Sequence, residues 1–524
     1  MLRKVKSSKA HELVNSLVKR APLCVFSGIL LSIPFWNGNF WIFAWCGMAP
    51  LFFALEGRSR AQRFLLGYLC GVVFWWATIF WLVHVTFIGT AVLILYLALY
   101  FGIFGVLLPV RNPKPAFTFL LVPSAWVILE YVRSHLLTGF PWALLGYSQY
   151  LNLPVIQIAD VTGVWGVSFL VMMGNAALYS VIGYRLAASG ERLAQRGIRN
   201  QGVATLLCIL LAVLYGYHKL NRMPHAKNPT PLKISVIQGN IPQDFKWTPQ
   251  YNDFIIKQYL TLTKKASVGI PDLILWPEAA LPVVPEEEPA YYEMAVKSAQ
   301  ETRCNLLFGA VTKRDSLYYN SAILISPQGS MRARYDKIHL VPFGEYIPLR
   351  NTLPFLQTFV PIGDMTAGKE YTVFTPSLKL KTLNPVHFSV LICFEDLFPE
   401  LSRQFVKKGA DFLVNITNDA WYKKGPASMQ HLQASVFRAV ENRVQVVRAA
   451  NTGISAFIDP SGKIISKVCD KGGRMIFVEG YDTQVIALTH NVPTAYNRFG
   501  DACIVLCALA IAGGITRGLS VTVR

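Results

Sequence analysis

The sequence predicts a polytopic α-helical membrane protein that also carries a large aqueous domain built from β-strands and α-helices. Hydrophobic residues make up 53% of the 524-residue chain and charged residues only 15%, which is too apolar for a soluble protein of this size. The apolar residues concentrate in 21–218 and again in 499–516, whereas the stretch between them has ordinary polarity. We therefore expect one embedded part and one aqueous part.

Eight apolar stretches predict transmembrane helices. Residues 64–85 and 87–110 contain no Asp, Glu, Lys or Arg, and each exceeds the ~20 residues that a bilayer crossing needs. Residues 22–55 are also uncharged, but Asn37-Gly38-Asn39 interrupts them, which indicates two shorter helices joined by a tight turn. The other four predicted spans are 117–132, 161–184, 201–217 and 499–516.

Basic residues indicate the orientation of these spans. With eight spans, the predicted loops on one side carry many Arg and Lys residues, whereas the short loops on the other side carry only Arg133. The positive-inside rule assigns the basic side to the cytoplasm. The basic-side residues are Arg3, Lys4, Lys6, Lys9, Lys19, Arg20, Arg58, Arg60, Arg63, Arg111, Lys114, Arg185, Arg192, Arg196, Arg199, Arg517 and Arg524.

Three segments follow from this topology. Residues 1–218 form an N-terminal membrane domain with seven helices, 219–498 form an extracytoplasmic domain, and 499–524 form a last transmembrane helix and a cytoplasmic tail. A basic tail before an apolar run is also typical of a signal peptide, but no small-x-small cleavage site follows it, so we expect a retained first helix.

The net charge of +20 does not indicate a nucleic-acid partner. The two membrane segments carry 18 Lys and Arg against 6 Asp and Glu, and the middle segment carries 32 against 24, so that +12 and +8 add to the total. Most of the excess therefore belongs to short loops that set topology. No basic and aromatic stripe accompanies it, and we exclude nucleic acid as a partner.

The middle segment predicts a layered α/β or α+β domain. Short strand-like runs such as "LKISVIQGN", "FSVLICFE" and "DFLVNITNDA" alternate with helical stretches such as 429–442. Only Cys304, Cys393 and Cys469 lie in this domain, and an odd number of cysteines in an oxidising compartment leaves at least one thiol free. A disulfide between Cys304 and Cys469 stays open.

Three motifs place polar residues directly after strand-like runs. "LILWPEAALP" contains Glu278, "YDKIHLVPFGEYIP" contains Lys337 and Glu345, and "VLICFEDLFPE" contains Cys393. Singly, each has a structural explanation: the charged residues as surface or loop groups, and the cysteine as a buried apolar residue. Polar groups at strand ends lie at the edge of a sheet, where active sites are commonly built.

Taken together, these residues predict thiol chemistry. The Lys337 ammonium would stabilise a Cys393 thiolate, and a carboxylate would act as its general base, provided that Glu395 and the acid after it point elsewhere. The backbone N–H of Phe394 and Lys337 could hold an oxyanion. A cysteine–histidine pair remains an alternative. No metal-binding spacing, phosphate-binding glycine loop or G-x-S-x-G motif occurs, so no metal or cofactor is expected.

The three motifs resemble the Glu, Lys and Cys triad of the nitrilase superfamily. Their attachment to seven transmembrane helices before and one after resembles the apolipoprotein N-acyltransferase family, and the likeness extends over nearly the whole chain. It includes "QGNIPQDFKW" with Trp247, "RSHLLTGFPWALLGYSQ" from Arg133 to Gln149, and "NITNDAWY". In the family an aromatic residue, often tyrosine, follows the nucleophile, and here that residue is Phe394.

The resemblance implies a nitrilase-like α-β-β-α sandwich on the periplasmic face of a bacterial inner membrane, in a monomeric enzyme. It implies that Cys393, deprotonated by Glu278 and assisted by Lys337, takes an acyl chain from a phospholipid as a thioester. The chain then passes to the α-amine of the S-diacylglyceryl cysteine of an apolipoprotein. Glu345 and Glu395 match acids that support the lysine and the pocket, and Trp247 matches a substrate-side aromatic residue.

Two alternatives stay open at this stage. A membrane-anchored amidase or nitrilase-like hydrolase would use the same triad with water as acceptor, and a non-catalytic lipid- or lipoprotein-binding protein would need none of it.

Near the end of the fifth span, Glu130 and Arg133 are three residues apart. They are expected either to form an ion pair or to leave Arg133 for phospholipid headgroups.

Overall fold

The computed structural model of the chain describes residues 2–108, 115–186, 192–222, 230–347, 365–377, 385–488 and 493–522. The predicted topology residues Arg111, Lys114 and Arg524 lie outside these ranges. The chain forms two compact units, one of Met1–Asn221 with Asp501–Arg524 and one of Arg222–Gly500. Each unit is built around its own packed interior.

The first unit is helical. Its α-helices are α1 (Leu2–Trp36), α2 (Ala49–Leu55), α3 (Arg60–Ile79), α4 (Phe87–Leu107), α5 (Pro115–His135), α6 (Leu153–Ile156), α7 (Ala159–Leu186), α8 (Arg192–Asn221) and, from the C-terminal segment, the helix Ala502–Thr522.

Six segments among the described residues are long and apolar enough to cross a membrane. They correspond to six of the eight predicted spans. Helix α5 and the helix Ala502–Thr522 lie where the fifth and eighth spans were predicted but are not among the six, so eight crossings stay a prediction. The six segments are Leu17–Trp36, Gly38–Leu55, Arg60–His84, Phe87–Leu107, Ala159–Gly183 and Gly197–Asn221.

The interruption predicted at Asn37-Gly38-Asn39 is present. Helix α1 ends at Trp36, and the Asn37 side chain accepts a hydrogen bond of 3.1 Å from the Asn39 N–H. A 3-10 segment, Gly38–Trp45, begins there and precedes α2. The side-chain cap satisfies a backbone donor that the helix break would otherwise leave open.

Two buried charged side chains at the end of α5 hold the segment that follows it. Glu130 Oε1 accepts a hydrogen bond of 2.6 Å from the Leu145 N–H, and an Arg133 Nη1–H donates to the Trp142 carbonyl at 2.9 Å. The Arg133 guanidinium also lies over the Trp75 ring, 4.8 Å from its centroid. Among the described contacts the acid and the guanidinium bond to backbone groups and not to each other, which argues against the direct ion pair.

The second unit contains two β-sheets with α-helices outside them. In the described residues one sheet has the order β11-β1-β2-β3-β4-β5 and the other the order β10-β9-β8-β7-β6. The strands are β1 (Thr230–Gln238), β2 (Leu273–Leu275), β3 (Asn305–Arg314), β4 (Leu317–Ile325), β5 (Met331–Asp336), β6 (Phe388–Ile392), β7 (Phe412–Thr417), β8 (Gln445–Ala450), β9 (Ala456–Ile458), β10 (Ile464–Lys467) and β11 (Gly480–Leu488).

The layers of this unit run helix, sheet, sheet, helix. Helices α9 (Asn252–Ser267) and α10 (Pro289–Thr302) cover the six-stranded sheet, and α11 (Pro399–Lys407) and α12 (Ala427–Asn442) cover the other. Strand β1 packs against β8, and β4 packs against β6. A short helix, α13 (Ala495–Phe499), follows the sheets, so that the helix Ala502–Thr522 is α14. This layer order is the sandwich that the resemblance implies.

The centre of each sheet is parallel and buried. Strands β1, β2 and β3 run parallel, as do β6, β7 and β8. Every residue of β6 and β7 is buried, including the polar Ser389, Asn415 and Thr417, as is typical of strands that are covered on both faces. Because parallel strands end at the same edge, the residues that follow them are brought together.

Gly309 of β3 lets this strand pass close to the turn that carries Glu278. A Cβ atom added there would lie 2.6 Å from both the Glu278 Cα and the Ala279 N. The backbone of the two segments is joined at this point by a 2.9 Å hydrogen bond from the Ala280 N–H to the Gly309 carbonyl.

We expect Gly309→Ala to lower the stability of the protein by about 1–3 kcal/mol, because the added methyl group forces backbone atoms apart. Thermal unfolding in detergent measures the loss. Gly472→Ala is the matched control, since its nearest contact is at 3.4 Å. Equal unfolding temperatures for the two variants would show that the Glu278 turn is not tightly packed on β3.

Candidate active site

Four strand ends bring polar residues to one place in the second unit. Glu278 follows β2, Lys337 follows β5, Cys393 follows β6 and Asn418 follows β7. The Asn418 N–H donates to Glu278 Oε2 at 2.9 Å, which connects the ends of strands from the two different sheets. The sequence predicted the first three of these residues as site members, and the structure brings all of them together.

Lys337 is a fully buried ammonium between two carboxylates. Its Nζ lies 2.9 Å from Glu345 Oε1 and 3.7 Å from Glu278 Oε1. Burial lowers the pKa of Lys337, but the two carboxylates outweigh burial and raise it above its ordinary value. The lysine is therefore charged at every physiological pH.

Asn320 on β4 holds both carboxylates in place. Its Nδ2 donates to Glu278 Oε1 at 2.8 Å and to Glu345 Oε1 at 2.7 Å. Glu345 Oε2 accepts a further hydrogen bond of 2.7 Å from the Val341 N–H. The sequence analysis did not single out Asn320, because its position within a strand run carries no signal of its partners.

Cys393 lies at a constrained point of the backbone. Its φ of 53° is in the left-handed region, which is uncommon for a residue other than glycine. Two buried donors hold its carbonyl: Asn415 Nδ2 at 3.2 Å and His431 Nε2 at 3.1 Å. Asn415 is thus a buried structural residue inside β7.

The thiol of Cys393 is protonated in the resting protein. Burial raises the pKa of Cys393 well above its ordinary value, and the Glu278 carboxylate raises it further, while Lys337 acts in the opposite direction. A preformed thiolate is therefore not the resting state. A base must take the proton as the sulfur attacks, and Glu278 is the carboxylate whose charge acts most strongly on this thiol.

Glu395, two residues after the cysteine, points away from the thiol. Its Oε1 accepts hydrogen bonds from the Tyr335 hydroxyl at 2.7 Å and from the backbone N–H groups of Ile338 at 2.8 Å and His339 at 3.0 Å. Its Oε2 accepts from the Ile392 N–H at 2.7 Å. Burial raises the pKa of Glu395 to about 7 in spite of these donors. This side chain ties the Cys393 turn to the segment that carries Lys337.

Asp396 points to the opposite side, into a buried charged cluster. Its Oδ1 lies 2.8 Å from His431 Nε2, and its Oδ2 accepts from Ser435 Oγ at 2.5 Å and from Arg448 Nη1 at 3.1 Å. The two acids beside Cys393 are therefore compatible with a reactive thiol, because each is engaged by its own partners.

The protonation of His431 depends on two competing contacts. Its Nδ1 lies 3.1 Å from Asp419 Oδ1, which requires a proton on Nδ1, and 2.8 Å from Arg448 Nη2, which requires a lone pair there. Burial and Arg448 lower the pKa of His431, but Asp396 and Asp419 outweigh them and raise it to about 9. We assign the proton to Nδ1, because two carboxylates face the ring and only one guanidinium does.

Lys246 is a second buried lysine of the site, which the sequence analysis did not identify. Its Nζ donates to the backbone carbonyls of Glu278 at 3.2 Å and Ala279 at 3.0 Å. It belongs to the motif "QGNIPQDFKW", in which only the next residue, Trp247, was singled out. The Trp247 side chain is 45% exposed, so it is available to a substrate.

The remaining predicted residues are Phe394 and Arg133, and the question of a disulfide was left open for Cys304 and Cys469. The Phe394 ring is buried and packs 5.2 Å from the Phe398 ring and 6.0 Å from the His339 ring. Arg133 belongs to the helical unit. Cys304 is buried and Cys469 is exposed, and the disulfide between them that was left open is not formed. In the part of the chain that the structure describes, no group of His, Cys, Asp and Glu side chains is arranged to hold a metal ion.

Comparisons with known proteins match both parts of the chain. Residues 27–177 match the family described as apolipoprotein N-acyltransferase N-terminal domain, and residues 233–487 match carbon-nitrogen hydrolase. A protein from Geobacter metallireducens named apolipoprotein N-acyltransferase is 37% identical over 513 residues, covering 94% of each chain. One of the same name from Pasteurella multocida is 30% identical over 521 residues, covering 96% of this chain and 95% of that one.

Among solved structures, a mutant of an amidase of the nitrilase superfamily from Nesterenkonia AN1 has a similar fold. The match covers 53% of this chain and 97% of the amidase chain. The sequence identity is 17% and the TM-score is 0.38.

We expect His431 to make the stability of the protein depend on pH between about 6.5 and 9. The folded state binds the imidazole proton more tightly than the unfolded chain, so this stabilisation is complete below about pH 6.5 and is lost as the pH rises through about 9. The difference corresponds to about 3 kcal/mol.

Apparent unfolding temperatures at about pH 6 and about pH 9.5, for the wild type and for His431→Gln, measure this contribution. The variant is the necessary reference because Glu395 and Lys246 also have shifted pKa values. If both proteins lose the same stability between the two pH values, Nδ1 carries no proton and accepts a hydrogen bond from Arg448.

Proposed function

Because the chain belongs to the apolipoprotein N-acyltransferase family, we propose that it moves a fatty acyl chain from a membrane phospholipid to the N-terminal amine of a lipid-modified apolipoprotein. The acceptor is the α-amino group of an S-diacylglyceryl cysteine. The observation that carries this proposal is the connected set of Glu278, Glu345 and Lys337, in which the charges of Glu278 and Lys337 act on the buried thiol of Cys393. The family match extends over nearly the whole chain, so both units belong to the activity.

The first half of the reaction forms a thioester. Cys393 Sγ attacks the ester carbonyl of the phospholipid while its proton passes to Glu278. The negative charge that develops on the carbonyl oxygen is stabilised by the Lys337 ammonium and, as the sequence predicts, by the Phe394 N–H. The intermediate then expels the glycerol oxygen of the lysophospholipid, which takes the proton back from Glu278. The acyl chain remains on sulfur.

The second half transfers the acyl chain to nitrogen. The neutral α-amine attacks the thioester carbonyl, and Glu278 takes a proton from the attacking nitrogen as the amide bond forms. The carbon–sulfur bond breaks and the sulfur leaves, receiving that proton to restore the thiol of Cys393. Glu345 contributes by fixing Lys337, to which it is bonded at 2.9 Å.

The membrane location follows from the physics of the substrates. Moving an acyl chain into water costs ~0.8 kcal/mol for each CH₂ group, so an enzyme for two lipid-anchored substrates gains from being in the membrane. We propose eight spans in a monomeric protein of a bacterial inner membrane, with the second unit on the periplasmic face. The six apolar helical segments and the basic loops support this topology.

Trp247 and Arg133, the two predicted residues at the substrate side, differ in exposure. Trp247 is exposed beside Lys246, which supports a role at the substrate side. Arg133 is buried, and its guanidinium is engaged by two backbone carbonyls, which favours holding the segment after α5 over contact with phospholipid headgroups.

We expect the wild-type protein incubated with phospholipid to gain the mass of one acyl chain, and to lose it when a lipid-modified peptide with a free N-terminal cysteine amine is added. Cys393→Ala should not gain this mass. Glu278→Gln should load more slowly by about 10²-fold or more, because it removes the general base. Intact-mass spectrometry measures all three.

Glu287→Gln is the matched control, since Glu287 is a half-exposed acid paired with Lys313 on the surface. Equal loading of Cys393→Ala and the wild type would contradict the assignment of the nucleophile. A wild-type thioester that turns over rapidly in buffer alone would identify a hydrolase, and a folded protein that never loads would favour a lipid-binding protein without catalysis.

A further inference from the structure

Lys246 is a buried ammonium that the Glu–Lys–Cys chemistry does not use. It directly follows a 3-10 turn, Gln243–Phe245, and its side chain is 6% exposed. An ammonium has three hydrogens, and the carbonyls of Glu278 and Ala279 take two of them. A buried charge is retained only where it is paired or hydrogen-bonded, so its position beside the predicted general base requires an explanation.

The first effect of Lys246 is on backbone geometry. The turn that carries Glu278 continues through Ala279, whose φ of 45° lies in the left-handed region. A non-glycine residue keeps this conformation only where its surroundings hold it. The two carbonyls bound by Lys246 belong to this turn, so the lysine holds the backbone from which the Glu278 carboxylate projects.

The second effect is on charge. Glu278 and Glu345 carry two negative charges, and Lys337 and Lys246 carry two positive ones, so the set is neutral while Cys393 is a thiol. Without Lys246 the same set would be negative while Cys393 is a thiol, and it would stay negative when the thiol proton passes to Glu278. Because like charges in a buried site oppose ionisation, the second lysine makes ionisation of the sulfur less costly.

The other groups that face the thiol do not replace this charge. Asp419 acts against ionisation of Cys393, but its carboxylate is paired with Arg448 at 3.3 Å and with His431 at 3.1 Å. Burial raises the pKa of Tyr422 well above its ordinary value, so its phenol is neutral. Among the described residues, Lys337 lowers the pKa of Cys393, and the charge of Lys246 interacts with the same sulfur.

The pKa of Lys246 depends on the charges of this site. Burial lowers the pKa of Lys246 to about 8, while the charges of Glu278 and Cys393 act to raise it. The lysine is thus mostly charged near neutral pH, and its charge is coupled to the ionisation of the sulfur. The coupling is reciprocal, because the energy of two interacting charges is shared by both groups.

We propose that Lys246 is a positioning residue of the acyl-transfer reaction, one that holds the Glu278 turn through two carbonyls and compensates the negative charge of the Cys393 thiolate. The inference rests on the proposed function for its reaction. The charge effect concerns the thiol itself and can be measured without a lipid substrate, whereas the positioning effect is measured on acyl loading.

Three substitutions separate the two effects. Lys246→Met removes both the charge and the donors, Lys246→Gln keeps donors for the carbonyls and removes the charge, and Lys246→Arg keeps both. Lys297→Met is the matched control, because Lys297 is exposed and pairs with Glu301 on the same helix. The readout is the pH profile of alkylation by iodoacetamide, measured on the Cys393 peptide by mass spectrometry.

We expect the midpoint of the alkylation profile to rise in the Met and Gln variants, so that alkylation near neutral pH slows by about tenfold. The Arg variant and Lys297→Met should keep the wild-type midpoint. For acyl loading from phospholipid, the Met variant should lose kcat with little change in KM, and the Gln variant should lose less than Met. A structural role alone would lower the unfolding temperature and leave the midpoint unchanged.

An unchanged midpoint in a folded Gln variant would overturn the charge role, and equal acyl loading by the Met variant and the wild type would overturn the positioning role. Failure of the proposed function has a different signature. In that case wild-type Cys393 is alkylated with a normal profile but never receives an acyl chain from phospholipid.

Discussion

The buried ammonium of Lys337 is the constraint on which the arrangement of the second unit depends. A charge removed from water costs several kcal/mol unless it is paired and its remaining hydrogen-bonding groups are satisfied. Its two carboxylate partners come from the turn after β2 and from the segment after β5. The strands of the six-stranded sheet must therefore bring these distant segments to one place, and Asn320 on the intervening β4 joins both acids.

The position of Cys393 follows from a second set of buried contacts. The two acids that follow it in sequence act on opposite sides of its turn, because Glu395 bonds to the segment after β5 and Asp396 bonds to α12 and β8. Donors from β7 and α12 hold the carbonyl of the cysteine in its left-handed conformation. The result is a buried thiol held at a fixed place in the site.

Much of this arrangement could be predicted from the sequence. The strand-like runs identified β1, β2, β6 and β7, and the polar residues after such runs identified Glu278, Lys337 and Cys393. Strand β11 escaped notice because it is an edge strand with exposed residues, such as Tyr481 and Val485, and carries no continuous apolar run. Asn320, His431 and Lys246 could not be found, since a single polar residue in a run does not reveal which distant group it contacts.

The sequence by itself determined the division into apolar and aqueous parts, several core strands and the chemical types of the predicted triad. These properties depend on local composition and on the residues at strand ends, which a one-dimensional pattern records. Only the tertiary structure decided which partners the charged groups have: that Glu395 and Asp396 turn away from the thiol, that Asn320 bridges two acids, and that Lys246 reaches the carbonyls of Glu278 and Ala279. The physical reason is that electrostatic and hydrogen-bond energies depend on distances between residues far apart in the chain, and folding alone sets those distances.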